Sequence, residues 1–261
     1  MELTGKRVLV TGASRGIGAA LARRFAAEGA QLALVARSAP ALEALADEIG
    51  GDAYPADLAD AEERRSVWDR IVTDGPVDVL VNNAGMEQAA SILETDGHEN
   101  DRLLQLNLHA PIDLCRLSLP GMLSSGAGHI VNISSMAAYA VLPGYSLYST
   151  SKAGLSHFTA GLRADLRGRP IGTTVVEVGP VTDTAMADAM RQHPPSQRAL
   201  RRLERLQLMV DVDTPTLADA TVNAVLRNRR HVRLPRRAAA FGLMVEFPRR
   251  FIELALTGVK N

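Results

Sequence analysis

The segment Thr11-Gly12-Ala13-Ser14-Arg15-Gly16-Ile17-Gly18 stands between a short apolar run, Val8-Leu9-Val10, and a helical pattern that starts near Ala19. Glycines in such a turn let the backbone approach a pyrophosphate, and the helix that follows offers free N–H groups and the positive end of its dipole. The spacing Gly-x-x-x-Gly-x-Gly differs from the commoner Gly-x-Gly-x-x-Gly pattern but uses the same mechanics. The alternative is a plain tight turn. The position after the first strand favours a phosphate-binding turn made by Gly12, Ser14, Arg15, Gly16, Ile17 and Gly18.

The rest of the chain alternates in the same way between short apolar runs and longer amphipathic segments. The runs that predict strands lie at 32–35, 77–81, 130–133, 173–178 and 231–234, and helical patterns cover 61–72, about 98–119, about 148–166 and 216–226. This alternation predicts an α/β fold with a parallel sheet that is covered by helices on both faces. There is no internal repeat and no Gly/Ser linker, so we expect a single domain.

Composition excludes several classes of protein. The 261 residues include 29 basic and 29 acidic side chains, so no global field points to a nucleic acid partner. The single cysteine, Cys115, cannot form an internal disulfide, and its apolar neighbours predict a buried thiol instead of a reactive one. No apolar run approaches about 18 residues, and the first residues lack a signal-peptide core. We therefore expect a cytoplasmic protein, and because the six histidines show no metal-ligand spacing we predict no metal.

The end of the second apolar run bears on the choice of dinucleotide. A site for NAD usually carries an acidic residue there for the ribose 2′-hydroxyl, but this chain has Ala36 followed by Arg37. Planar guanidinium groups at Arg37 and Arg15 suit a 2′-phosphate. The pattern predicts NADP(H) in preference to NAD(H), and the alternative is that both arginines are merely solvated.

Three further segments carry polar residues at expected turns or in a helix. Asp57-Leu58 follows the third strand and suits a position beside an adenine, although Asp57 also suits a helix cap. Asn82-Asn83-Ala84-Gly85 closes the fourth strand, and Asn83, Ala84 and Gly85 suit a turn against a cofactor, although such turns are common. Asn107 interrupts the leucines of the next helix, which indicates either a local kink or a functional polar contact.

Tyr148 and Lys152 stand four residues apart in a helical pattern, and Ser135 precedes the tyrosine by thirteen residues. A cation near a phenol favours phenolate and lowers a pKa that is ordinarily about 10. A phenol tuned toward neutral pH is a useful acid-base catalyst. Taken alone, the pair is equally typical of a solvated helix face.

With these motifs in this order, the chain resembles the short-chain dehydrogenase/reductase family over about Lys6 to Thr184. The resemblance implies a single Rossmann-like, doubly wound domain that binds NAD(P) at the carboxyl ends of its strands and transfers a hydride to or from a carbonyl or alcohol. It implies that Tyr148 is the acid-base and also contacts the cofactor, and that Ser135, instead of the adjacent Ser134, orients the carbonyl oxygen. Lys152 would lower the pKa of the tyrosine and hold the nicotinamide ribose, and Asn107 would position a water that links Lys152 to solvent.

The segment Val178-Gly179-Pro180-Val181-Thr182-Asp183-Thr184 is similar to the family's Pro-Gly-x-Val-x-Thr segment, which contacts the nicotinamide amide. Gly179 and Pro180 stand in the reverse order here. The departure bears on the local loop geometry and on the predicted cofactor contacts of Val181 and Thr184.

By the same resemblance, residues 1–237 form the dinucleotide-binding catalytic domain, in which about 185–213 is a flexible substrate lid. Methionines and leucines in that lid favour an apolar carbonyl substrate, or else they pack the lid against its own domain. Residues 238–261 form an apolar and basic extension. That composition suits an anionic membrane surface, a subunit interface or the intramolecular core.

The sequence as a whole predicts an oxidoreductase that transfers a hydride between NADP(H) and a ketone or secondary alcohol. We expect a small-molecule substrate, a homo-oligomer (dimer or tetramer), no nucleic acid and, through 238–261, a peripheral membrane contact as one option. The alternative function is that of a catalytically silent NADP-binding regulatory or scaffold protein. The complete set of Asn107, Ser135, Tyr148 and Lys152 argues against it.

Overall fold

The computed structural model describes residues 1–140, 142–182, 194–205, 210–236, 243–245 and 247. In this part of the chain seven strands form one sheet in the order β3-β2-β1-β4-β5-β6-β7, and all neighbouring strands are parallel. The strands are β1 (Arg7–Thr11), β2 (Gln31–Ala36), β3 (Asp52–Pro55), β4 (Val79–Asn82), β5 (Gly128–Ser135), β6 (Ile171–Val178) and β7 (His231–Leu234).

Helices connect the strands and cover both faces of the sheet. They are α1 (Gly16–Ala27), α2 (Ala39–Ile49), α3 (Ala61–Asp74), α4 (Gly97–Leu104), α5 (Ala110–Ser125), α6 (Ser146–Asp165), α7 (Pro194–Arg205) and α8 (Thr214–Leu226). A π-helical turn, Gln105–His109, joins α4 to α5, and a 3-10 turn, Met136–Ala138, follows β5.

Successive side chains of each strand enter different cores, as the period of a β-strand requires. Val8 and Val10 pack in the core under α1, α2 and α8, whereas Leu9 between them packs in the core under α3, α5 and α6. Each of these three side chains is fully buried, and burial of such a side chain contributes about 1.5–3 kcal/mol. The predicted parallel sheet with helices on both faces is confirmed, and so is the burial of Cys115.

Two helical regions differ from the prediction. The helix α2 was not predicted, although both of its ends carry typical residues. Pro40 stands in the first turn, where the backbone N–H groups of a helix have no intrahelical partner, so the N–H that proline lacks is not missed. Gly50 follows the last residue of the helix and has φ 68°. The single helix expected at about 98–119 is divided by the π-helical turn that contains Asn107, which confirms the expected irregularity. Its second half, α5, runs past Pro120 and ends at Gly126, where φ is 71°.

The chain connections create an opening at the carboxyl edge of the sheet. From β1 the chain moves outward to β2 and β3, then returns to β4 beside β1 and continues outward on the other side through β5, β6 and β7. Ligands of doubly wound sheets bind at such a switch point, outside the carboxyl ends of the strands. The turns after β1 and β4 therefore face a common space.

Parts of two predicted regions lie outside the described residues. Of the predicted lid at 185–213, residues 194–205 and 210–213 are described, and of the extension at 238–261 only 243–245 and 247 are described. Among the helices of the described ranges, none has both the length and the apolar character needed to cross a bilayer. The lid, the domain boundary at 237, the homo-oligomer and the membrane contact stay predictions.

Candidate active site

A cleft of about 830 Å³ opens at the switch point. Its walls include the glycine-rich turn after β1, the turn after β4, the end of β5 and the first turns of α6. All but two of the predicted site residues line it, namely Gly12, Ser14, Arg15, Gly16, Ile17, Gly18, Arg37, Asp57, Leu58, Asn83, Ala84, Gly85, Ser135, Tyr148, Lys152 and Val181. The two exceptions are Asn107, which lies behind the wall, and Thr184, which lies outside the described residues.

Within the glycine-rich turn, Gly12 and Gly18 are packed too tightly for a side chain. Gly12 has φ 67°, and a Cβ there would lie 2.8 Å from the Cα of Ala84. A Cβ on Gly18 would lie 2.1 Å from the Gly12 oxygen and 2.6 Å from Asn83 Nδ2. The glycines therefore bring the turn, the start of α1 and the turn after β4 into direct contact.

Hydrogen bonds between Thr11 and the turn after β4 hold this side of the cleft together. The Thr11 hydroxyl accepts hydrogen bonds from the N–H groups of Asn83 at 2.9 Å and of Ala84 at 3.0 Å. The Asn83 amide donates to the Thr11 carbonyl at 2.9 Å. The hydrogen bonds that join the two turns thus involve only neutral groups.

The start of α1 and the nearby arginines fit a phosphorylated dinucleotide. Arg15 precedes α1, no side chain caps the helix, and its first turn contains no acidic residue, so its free N–H groups are available to a phosphate. Ala36 is buried, whereas Arg15 and Arg37 are exposed at the cleft. No ion pair between described residues involves either of these guanidinium groups.

Asp57 lines the cleft but does not cap a helix. The cap of α3 is Asp60, whose carboxylate accepts hydrogen bonds from two N–H groups of the first turn. Asp57 instead pairs with Arg102 at 2.5 Å and accepts a hydrogen bond from the Ala59 N–H at 3.0 Å. Burial alone would raise the pKa of Asp57, but these hydrogen bonds and the charges of Arg102 and Arg37 hold it below its ordinary value. The alternative reading of Asp57 as a cap is therefore wrong.

Asn107 supports the cleft from behind. Its side chain is fully buried in the π-helical turn. The amide oxygen accepts a hydrogen bond from the Met86 N–H at 2.8 Å, and the amide nitrogen donates to the Met86 carbonyl at 2.8 Å and to the Ser151 hydroxyl at 3.2 Å. These contacts fasten the segment after the Asn83-Ala84-Gly85 turn to α6.

The two serines at the end of β5 face different surroundings. The Ser134 hydroxyl is buried, donates to the Lys152 carbonyl at 2.9 Å and accepts from the Ser156 hydroxyl at 2.8 Å. The Ser135 hydroxyl accepts from the Ala137 N–H at 3.1 Å, and a hydrogen bond links Ser135 to Tyr148. Both serines line the cleft, and the Ser135 hydroxyl also donates to the Val178 carbonyl at 3.3 Å. The choice of Ser135 over Ser134 stays a prediction.

Tyr148 and Lys152 are both buried, and the Lys152 ammonium lies 5.8 Å from the centroid of the Tyr148 ring. Lys152 donates a hydrogen bond to the Ile133 carbonyl at 3.0 Å. Burial, and next the charge of Glu87, raise the pKa of Tyr148, while the hydrogen bond with Ser135 opposes them. The lowering expected from Lys152 is therefore not found here, because burial disfavours the phenolate. Burial also lowers the pKa of Lys152 to about 8, although the negative charge of Glu87 acts to raise it.

Glu87 and Tyr145 were not predicted, yet they belong to this wall. The Glu87 carboxylate accepts a hydrogen bond from the Tyr145 hydroxyl. The Tyr145 ring is fully buried and packs edge-on against Tyr148 with their centroids 5.8 Å apart. Two signals in the chain were available: Glu87 comes two residues after the turn at Gly85, and Tyr145 precedes Tyr148 by one helical turn.

The reversed Gly179-Pro180 pair is accommodated at the end of β6. The Gly179 N–H donates to the Leu234 carbonyl at 2.8 Å, and a Cβ on Gly179 would lie 3.2 Å from Pro235 Cδ. Val181 forms a parallel bridge with Val212 and lines the cleft. The reversal thus leaves Val181 at its predicted wall.

A parallel sheet with a glycine-rich turn at its switch point and a serine, tyrosine and lysine in the same cleft defines a dinucleotide-binding α/β protein. The sequence profile described as short chain dehydrogenase matches residues 6–195. The chain therefore belongs to the short-chain dehydrogenase/reductase family.

Three similar proteins illustrate the family. Ketoacyl reductase HetN of Nostoc is 36% identical over 232 residues, which cover 85% of this chain and 76% of HetN. Probable oxidoreductase EphD of Mycobacterium tuberculosis is 36% identical over 235 residues, and the match spans 85% of this chain but 40% of EphD. A short-chain dehydrogenase from Sphingobium yanoikuyae, solved in complex with NADPH, has a TM-score of 0.81 and 28% identity, with 98% of each chain covered.

Proposed function

We propose that this protein is an NADP(H)-dependent oxidoreductase that interconverts a ketone and a secondary alcohol. The observation that carries the proposal is the meeting of Ser135, Tyr148 and Lys152 in the same cleft as the glycine-rich turn. The NADPH complex of the Sphingobium protein and the name of HetN are consistent with it.

Different residues along the cleft would bind different parts of the proposed cofactor. The glycine-rich turn and the start of α1 would hold the pyrophosphate, Arg15 and Arg37 the 2′-phosphate, and Asp57 with Leu58 the adenine. The turn at Asn83, Ala84 and Gly85, together with Lys152, Val181 and Thr184, would hold the nicotinamide half. When bound, the dinucleotide supplies the hydride for the carbonyl carbon or accepts it from the alcohol.

The chain's own residues supply orientation and the proton. In the reduction, the Tyr148 hydroxyl gives its proton to the carbonyl oxygen while the new C–H bond forms and the C=O double bond becomes a C–OH single bond. Ser135 holds the same oxygen by a hydrogen bond, and Asn107 keeps α6 and the Met86 segment in place. The raised pKa keeps Tyr148 protonated at neutral pH, but it also makes the phenol a weaker acid than the tuned donor that the sequence suggested, so the proposed proton transfer depends on the position of the hydroxyl beside the substrate oxygen.

The substrate side of the cleft favours an apolar carbonyl compound. Met136, Ala137 and Leu142 line it next to Ser135 and Tyr148. The test is NADPH oxidation by the purified protein against a panel of ketones with short and long aliphatic chains. We expect turnover that improves with chain length, because each buried methylene contributes about 0.8 kcal/mol. Tight NADPH binding without turnover of any ketone would instead favour the silent regulatory or scaffold protein.

The preference for NADP(H) is tested at Arg37. The substitution Arg37→Asp replaces a guanidinium that would pair with the 2′-phosphate by a carboxylate that repels it. We expect the ratio of kcat/KM for NADPH to that for NADH to fall by about 10–100-fold, the range of one or two charge-assisted hydrogen bonds. Arg167→Asp, which changes an exposed arginine outside the cleft wall, is the control and should leave the ratio unchanged. Equal use of NADH and NADPH by the wild type would contradict the preference.

A further inference from the structure

Among the described residues that line the cleft, two carry carboxylates, and the two differ in how their oxygens are used. Both oxygens of Asp57 accept hydrogen bonds, from Arg102 at 2.5 Å and from the Ala59 N–H at 3.0 Å. One oxygen of Glu87 accepts from Tyr145. Its other oxygen, Oε2, is buried and has no hydrogen-bond partner within the described part of the chain.

A buried carboxylate oxygen without a donor is unfavourable by about 1–3 kcal/mol or more. A hydrogen bond nevertheless ties the Glu87 side chain to the neighbouring wall of the cleft. Tyr145 donates this hydrogen bond and is itself fully buried, with its ring packed against the ring of Tyr148. An unsatisfied acceptor calls for an explanation, and in the wall of a ligand cleft a donor on the ligand supplies one.

The position of Glu87 relative to Tyr148 defines which part of a ligand it meets. Glu87 lines the same cleft as Tyr148 and Lys152, and its partner Tyr145 packs against the Tyr148 ring, so the carboxylate stands on the side of the cleft that holds the proposed proton donor. A donor that reaches Oε2 must therefore stand close to the carbonyl group of the substrate. Lys152 disfavours a second cation in this space, which makes a neutral hydroxyl a better partner than an ammonium group.

We propose that Glu87 accepts a hydrogen bond from a hydroxyl group that the substrate carries next to its carbonyl carbon. The preferred substrates are then hydroxy ketones with an apolar chain, in which Met136, Ala137 and Leu142 contact the chain and Glu87 contacts the hydroxyl. This substrate class rests on the carbonyl reduction proposed above. It assigns Glu87 a role in specificity, whereas the proton still comes from Tyr148.

The experiment compares three ketones of nearly equal shape: 3-hydroxy-2-octanone, 3-methoxy-2-octanone and 2-octanone. The methoxy compound keeps the oxygen but cannot donate a hydrogen bond. We expect the wild type to reduce the hydroxy ketone with a kcat/KM at least about 10-fold above the other two, because a site built for a hydroxyl discriminates against analogues that leave its polar group unpaired.

Variants of Glu87 assign that discrimination to one side chain. Glu87→Leu removes the acceptor and should reduce the preference to less than about 3-fold. At a pH above 7, where the wild-type carboxyl is ionised, Glu87→Gln keeps a weaker, uncharged acceptor and should give an intermediate value, because hydrogen bonds to charged groups are roughly twice as strong. Glu94→Gln, a change at an exposed glutamate of the same connection between β4 and α4, should retain the full preference. NADPH binding and thermal unfolding of each variant establish that it is folded.

The outcomes separate the two proposals. If 2-octanone is reduced as well as the hydroxy ketone, or if the Glu87 variants keep the wild-type preference, the role of Glu87 is wrong and the carbonyl reduction stands. If Glu87→Leu does not fold, equal rates of the wild type on the hydroxy and methoxy compounds still overturn the role. If no ketone is reduced although NADPH binds, the proposed function and the substrate class both fail.

Discussion

The two sides of the cleft are built on different physical principles. Around the glycine-rich turn, Gly12, Gly18, Thr11 and Asn83 make close contacts and neutral hydrogen bonds, and no charged side chain takes part in these contacts. Around Tyr148, the wall contains the titratable side chains of Glu87, Tyr148 and Lys152, whose pKa values are displaced by burial and by the charge of Glu87. The first side depends on shape and the second on protonation.

This difference follows from what each side has to do in the proposed function. A pyrophosphate is bound by N–H groups that approach it closely, so side chains are obstacles. A proton has to be held and released at one atom, which requires a titratable group in a defined environment. The two sides should therefore respond to different substitutions.

The largest effect is expected from removal of the proton donor. Tyr148→Phe deletes the hydroxyl and keeps the buried ring that packs against Tyr145. We expect kcat for ketone reduction to fall by about 10³-fold, within the range attributed to general acid-base catalysis. The dissociation constant for NADPH, measured by fluorescence titration, should change less than about 3-fold. Unchanged turnover would show that the proton comes from another group.

A smaller effect is expected when a side chain is added to the glycine-rich turn, on the side of the cleft that depends on shape. Gly18→Ala places a Cβ within 2.1 Å of the Gly12 oxygen, so the turn or the start of α1 must move. We expect NADPH to bind about 10²-fold more weakly, with a loss of about 1–3 kcal/mol in the free energy of unfolding. Isothermal titration and urea unfolding measure both quantities.

Gly161 provides the matched control for this substitution. It lies in α6, and a Cβ there meets no atom within 4 Å. Gly161→Ala should leave NADPH binding unchanged and raise the stability by up to about 1 kcal/mol, since alanine favours the helix. Equal NADPH affinities for both alanine variants would contradict the shape argument.

The smallest effect concerns the pH dependence of stability on the titratable side. Burial raises the pKa of Glu87 to about 7 from an ordinary value of 4.5, although the hydrogen bond from Tyr145 and the charge of Lys152 both act to lower it. The folded protein then binds more protons than the unfolded chain between pH 4.5 and 7, so this contribution to stability is complete below pH 4.5 and is lost as the pH rises through 7. Relative to Glu87→Gln, the free energy of unfolding of the wild type should fall by roughly 2 kcal/mol between pH 5 and pH 8.

Urea unfolding of the wild type, Glu87→Gln and Glu94→Gln at several pH values measures this difference. The comparison with Glu87→Gln removes other groups that titrate in the window, such as His129, whose pKa burial lowers to about 4. The Glu94→Gln variant should follow the wild type. A wild-type curve parallel to that of Glu87→Gln would mean that Glu87 titrates normally.

Much of the fold was predictable because its signals are local. Apolar runs such as 130–133 and the amphipathic pattern of 216–226 predict strands and helices directly, and the structure confirms them as parts of β5 and α8. The helical irregularity at Asn107 was predictable for the same reason, because an asparagine disturbs a helix where it stands. The short helix α2 was missed, although a proline and a glycine mark its two ends.

The sequence by itself supplied the local signals, namely the glycine-rich turn after the first strand and the four-residue spacing of Tyr148 and Lys152, whereas the place of Ser135 beside them was implied by the family resemblance. Only the tertiary structure decided that Glu87 meets Tyr145, 58 residues away, because the adjacent strands β4 and β5 lead both residues to the same edge of the sheet. It also decided the direction in which the pKa of Tyr148 moves. Spacing brings an ammonium near the phenol, but burial, which disfavours the phenolate, results from the packing of the whole domain.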